Sequence, residues 1–111
     1  MPPSREDIPP GTLEMLILRT LARGKSMHGF EVADFIQETS SGVLQVEEGS
    51  LYPALQRMLL KGWIAGEWGR TDENRRARYY NLTTAGRKQL AVALDRYARV
   101  SHAIASILQP V

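Results

Sequence analysis

The sequence predicts a mostly helical α+β fold, in which three short helices precede a β-hairpin and one long helix closes the chain. Three observations predict it. Apolar residues recur at helical spacing in three separate segments before Gly62, the pattern shortens to strand-like runs between Ile64 and Leu82, and helical spacing then returns as far as about Gln109. With 111 residues, 43% hydrophobic and 23% charged, the chain has the size and composition of one ordinary globular domain.

Residues 1–11 hold Pro2, Pro3, Pro9 and Pro10, which predicts a flexible, extended N-terminal arm. Thr12 is the expected N-cap of a first helix whose apolar positions are Leu13, Leu16, Ile17, Leu21 and Ala22, with Gly24 as its stop. Ser26 is placed to cap a second helix using Phe30, Val32, Ala33, Phe35 and Ile36, broken by Ser40-Ser41-Gly42. A short apolar run, Val43 to Val46, leads to a third helix from Glu47 or Glu48, whose carboxylates suit the positive end of a helix dipole. Its buried stripe is Leu51, Leu55, Met58 and Leu59, and Pro53 is expected in the first turn, where no amide bond is lost. Ile64 to Trp68 and Ala77 to Leu82 read as two strands around the polar tip Gly69 to Arg76. Thr83 or Thr84 caps the last helix, where Leu90, Leu94, Tyr97, Ile104 and Leu108 repeat in near-heptad fashion beside Ala91, Ala98 and Ala105.

Composition removes several classes of function. There is no cysteine, so disulfides and thiolate nucleophiles are absent, and His28 and His102 are the only imidazoles; no metal or cofactor site is expected. No nucleophile constellation or phosphate loop occurs, and GTLEMLILRTLARG lacks the glycine spacing of a phosphate cradle, so the chain is not read as an enzyme. No apolar stretch approaches the ~20 residues of a membrane span. The start MPPSREDIPP has no apolar secretory core, which makes the expected location cytoplasmic.

Helix, helix, helix, hairpin and long helix, in that order, is the order of a winged helix-turn-helix over residues 12–82, followed by a dimerisation helix over 83–109. In that architecture the third helix enters the major groove and the hairpin, or wing, runs along the backbone or minor groove. Net charge is only +2, but Arg75, Arg76 and Arg78 cluster in the wing, where guanidinium groups displace counterions from phosphates. Arg76 and Arg78 share a sheet face by alternation. On the third helix, Ser50, Tyr52, Pro53, Gln56 and Arg57 lie off the buried stripe: Ser50 and Tyr52 can donate to phosphates, Gln56 can read an adenine edge, and Arg57 can reach a phosphate or a guanine. Glu47 and Glu48 are read as helix caps angled off the duplex. His28 is assigned a packing or capping role, His102 a surface or interface role, and Trp63 and Trp68 the core at the junction of helix and wing.

The segments GTLEMLILRTL, MHGFEVADFI, EEGSLYPALQRMLLKGWI and RRARYYNLTTAGRKQL resemble the PadR family of bacterial transcriptional regulators over nearly all of residues 11–95. HGF opening the second helix, GSLYPAL in the third and YYNLTTAG leaving the wing together carry the resemblance; the single helix after the wing resembles the subgroup with a reduced C-terminal part. The resemblance implies homodimeric repressors on inverted-repeat operators, released by small, often aromatic effectors. It assigns Tyr52, Ser50, Pro53 and Gln56 to the recognition surface and Arg76 and Arg78 to the wing contacts. Some members hold planar ligands against a tryptophan of the last helix, a residue that helix lacks here.

The apolar series Leu90, Leu94, Tyr97, Ile104 and Leu108 is too long for so small a domain to cover, so a second copy is expected against it, touching the first helix as well. Two other functions fit the same fold: a winged-helix module that binds a protein, with arginines that only solubilise, and a drug-binding protein whose DNA affinity is incidental.

Overall fold

The computed structural model describes residues 6–9 and 11–110. The elements in chain order are β1 (Glu6–Asp7), α1 (Leu13–Leu21), β2 (Met27–His28), α2 (Gly29–Thr39), β3 (Leu44–Gln45), α3 (Glu48–Leu60), β4 (Ile64–Arg70), β5 (Arg76–Leu82) and α4 (Thr84–Ile107). The expected four helices and hairpin are all present, and the fold is the mostly helical α+β arrangement of a winged helix.

Three short strands were not expected. Met27 and His28 pair antiparallel with Tyr80 and Tyr79, which makes the wing part of a three-stranded sheet in the order β2-β5-β4. This strand also moves the start of α2. The N-cap is His28 and not Ser26: its Nδ1 accepts from the Glu31 amide at 3.4 Å, while Glu31 Oε1 accepts from the His28 amide at 3.2 Å, a reciprocal capping box. In the N-terminal arm, Glu6–Asp7 pairs in parallel with Leu44–Gln45, so this part of the arm is extended but held; the expectation for residues 1–5 and Pro10 lies outside the described residues.

The core collects Ile17, Leu18 and Leu21 of α1, Val32 and Ile36 of α2, and Leu51, Ala54, Leu55 and Met58 of α3, closed at one end by Met27, Ile64 and Tyr80. Its α3 contribution is the stripe the spacing predicts, with Ala54 added and Leu59 at its margin. Leu55 is 1% exposed. Leu55→Ala should therefore lower stability by about 2–5 kcal/mol, with any loss of activity following the melting curve; a variant that melts like the parent would contradict this packing.

Gly62, at φ +75°, turns the chain out of α3 into β4, a conformation glycine adopts without the Cβ penalty. The hairpin returns to its base at Thr83, whose amide donates to the Trp63 carbonyl at 3.1 Å. Thr83 also caps α4: its hydroxyl accepts from the Gly86 amide at 3.0 Å and lies 2.6 Å from the Gly62 carbonyl. α4 packs on α1 and on the hairpin base: Leu90 is buried in the core and Gly86 lies against Trp63 and Leu82, while the later turns of the helix are exposed. Among the described residues, no helix is long and apolar enough to cross a membrane.

Candidate nucleic-acid interface

The face of α3 opposite its buried stripe carries all five residues expected there: Ser50, Tyr52, Pro53, Gln56 and Arg57 are exposed. They do not form one uniform surface. Ser50, Pro53 and Arg57 border a depression shared with Asp7, Gln45 and Glu47, on the side of the N-terminal arm. Tyr52 lies at the other edge, toward α2 and the wing, and Gln56 lies between.

Two expectations on this helix need correction. Pro53 sits in the second turn, because the helix begins at Glu48; the Gly49 carbonyl therefore lacks its usual donor four residues on. Arg57 is not a free cation: its Nε donates to Glu14 Oε1 of α1 at 3.0 Å. Both partners reach solvent, and such a pair contributes at most about 1 kcal/mol, so Arg57 meets a phosphate only by leaving Glu14.

Tyr52 is fixed by a close approach. A Cβ placed on Gly29 would come 3.0 Å from Tyr52 Cε1, so the glycine opening α2 is the seat of this ring. The HGF and GSLYPAL segments thus meet at one contact. Burial pushes the Tyr80 phenol above its ordinary value, the Arg78 charge opposes the shift and Tyr52 adds to it. Tyr80 remains a neutral phenol at physiological pH.

The wing places Tyr80 and Arg78 on one face. Ile64, Gly66, Trp68 and Arg70 of β4 stand opposite Leu82, Tyr80, Arg78 and Arg76 of β5, and side chains of these pairs share one sheet face. At the base this face is core, with Ile64 and Tyr80 buried. Farther out the same face outruns the core and carries Trp68, Arg70, Arg76 and Arg78. Arg76 and Arg78 do share a face, as alternation requires. Trp68, expected to fill core, is 60% exposed because the core stops one residue pair short of it; Trp63, at the base, does pack against the core.

The arginines differ in their surroundings. The Arg76 guanidinium lies 4.3 Å from the centre of the Trp68 ring and that of Arg78 5.9 Å from it. Arg78 is half-buried, its Nε enclosed and without a hydrogen-bond partner. Arg70, which the sequence reading missed, faces Arg76 directly across the strands and donates to the Asn74 carbonyl at 3.3 Å. Like charges directly opposite on a sheet are destabilising, and among the described residues none of Arg70, Arg76 and Arg78 has a carboxylate within 4.0 Å. Arg75, at the tip, is paired with Glu73 at 3.9 Å. Counting the hairpin register back from Arg76 across the turn would have found Arg70.

A groove runs between α2, Tyr52 and the wing tip, bordered by His28, Phe30, Asp34, Asp72, Arg75 and Arg76. His28 stands edge-on to Tyr79 with ring centres 5.3 Å apart, so the capping histidine also braces the wing. The carboxylates in this groove leave the arginine row, and not the groove floor, as the surface suited to a polyanion.

On α4 the expected interface series divides. Leu90 is 7% exposed and belongs to the domain's own core, because the first turns of α4 pack on α1. Leu94, Tyr97, Ile104 and Leu108 are exposed, together with Val92, Val100 and Ile107.

The sequence model of the transcriptional regulator PadR-like family matches residues 17–92. A solved PadR family transcription regulator from Clostridium difficile is 28% identical with a TM-score of 0.75, over 89% of this chain and 100% of that one. A PadR-like transcriptional regulator from Bacillus cereus is also 28% identical with a TM-score of 0.75, over 91% of this chain and 95% of that one. A transcriptional regulator from Clostridium thermocellum shares the fold at a TM-score of 0.81 with 22% identity, over 89% and 95% of the two chains.

Proposed function

The chain belongs to the PadR-like family of transcriptional regulators, and from that premise we propose that it is a repressor that binds an inverted-repeat operator as a homodimer and is released by a small aromatic effector. The observation that carries the DNA reading is the arginine row of the wing, three guanidinium groups on one face with no carboxylate within 4.0 Å among the described residues, and Arg76 borders one groove with Tyr52 of α3. Phosphates supply the counter-charge that the protein itself withholds. Ser50, Pro53 and Gln56 present the α3 face to base edges, with Tyr52 beside the wing as a phosphate donor. Arg75 and Arg57 join only after leaving Glu73 and Glu14.

Pairing through Leu94, Tyr97, Ile104 and Leu108 covers an apolar series that α1 leaves bare, and two-fold symmetry then sets the two α3 helices about one DNA turn apart. For the effector, the groove between α1 and α4 offers Met15, Trp63, Val92 and Tyr97. Trp63 there provides an indole that α4 does not.

Affinity for duplex DNA at several salt concentrations tests the reading. Arg76→Ala and Arg78→Ala should each reduce the slope of log affinity against log salt by about one unit, with the fold intact. Weak affinity at every salt concentration would favour the protein-binding module, and an unchanged slope in both variants would turn the wing away from DNA.

A further inference from the structure

We propose that Trp68 and Gly66 are positioning residues, which hold the Arg76 and Arg78 guanidinium groups as a paired phosphate grip before DNA arrives; the proposal rests on the reading of the wing as a DNA-contacting face. An arginine on a hairpin loses much rotamer freedom when it is fixed on a phosphate, and a side chain already ordered loses less. Trp68 is 60% exposed and outside the core, so burial does not account for a large indole at this point. Its ring instead carries Arg76 at 4.3 Å and faces Arg78 at 5.9 Å, within reach of a cation–π attraction.

Gly66, two residues before Trp68 on the same face of β4, seats the second guanidinium. A Cβ on this residue would lie 2.4 Å from Arg78 Nε, so Arg78 rests against bare backbone and holds this position only while residue 66 is glycine. Its Nε is enclosed without an acceptor, whereas its Nη groups are not enclosed in that way and remain available as donors. Two cations beside one indole, with Arg70 across from Arg76, repel one another until an anion enters between them. A stack that served only to cover apolar surface would not need the glycine seat.

The test uses the full chain and a duplex carrying the operator selected from random sequence. Trp68→Ala should weaken binding about tenfold and lower the salt slope by about one to two units, although no charge has been removed. Its melting should match the parent, and Trp68→Phe, which keeps an aromatic face, should restore most of the affinity and slope. Gly66→Ala should displace Arg78 alone and lower the slope by about one unit. In the free protein, NMR should show the Arg76 side chain shifted upfield by the indole, and this shift should vanish in Trp68→Ala. Parental affinity and slope in Trp68→Ala overturn the proposal while leaving the DNA reading in place. A Trp68→Phe variant as weak as Trp68→Ala also overturns it, since the indole would then contact DNA itself. A parent chain without salt-dependent duplex binding removes the DNA reading and the grip together.

Discussion

Gly86→Ala should be among the most damaging single-methyl additions in this domain. A Cβ there would come 2.0 Å from the Trp63 carbonyl oxygen and 2.6 Å from Leu82 Cδ1. The leucine can rotate, but the carbonyl is held by the Thr83 amide and faces the Thr83 hydroxyl at 2.9 Å, so backbone at the hairpin base must move. Overpacking in a fixed core costs about 1–3 kcal/mol and more where backbone is displaced. A loss of about 3 kcal/mol, or roughly 12–20 °C in melting temperature, is expected for a domain of this size. Gly49→Ala is the matched control: it lies on the open face of α3 with nothing within 4 Å, and should gain about 0.5–1 kcal/mol from helix propensity. Thermal melts of the two variants check the contrast, and parental melting in Gly86→Ala would show that the β4 base yields freely. This packing also gives a physical role to the glycine that ends YYNLTTAG.

The second large effect concerns assembly. On the proposed pairing through α4, Leu94→Asp and Ile104→Asp should each give a monomer, because a carboxylate buried between two α4 helices would be unpaired. Leu94 and Ile104 are 43% and 51% exposed in the single chain, so helicity and the domain core should persist. Operator affinity should fall by about 10²–10⁴-fold, the avidity that linking two modules supplies. Leu90→Ala should behave differently, lowering stability first, since that side chain is spent within its own domain. Sedimentation showing dimers for both aspartate variants, or a monomeric parent at micromolar concentration, would refute pairing through this face.

The helices and the hairpin were legible because each is written in a period long enough to read. The α3 stripe needed only its 3.6-residue spacing, and the Arg76–Arg78 face needed only alternation. What escaped was short or set by tertiary contact. Met27–His28 is a two-residue strand, too brief for any period, and its existence depends on β5 far along the chain. The cap fell on His28 and not Ser26 because that pairing keeps Met27 extended. Trp68 was misplaced for a different reason: alternation gives a residue its face but not the point where the core beneath that face ends. Leu90 was assigned to a partner because a heptad continues smoothly from an intramolecular contact into an exposed one. Arg57 was read as free because Glu14, its partner, is distant in sequence.

The wing leaves the domain at Trp63 and comes back to the same point at Thr83, joined there by a backbone hydrogen bond. Its tip is closed separately, by Thr71 and Arg75 around Asn74 at φ +61°. Lengthening such an excursion costs little, since each doubling of a loop adds only about 0.6 kcal/mol in closure entropy. The reach of the wing is therefore a dimension in which descendants of this chain can vary by insertion at Asp72–Glu73, while the hydrophobic interior that determines survival of the fold stays unaltered.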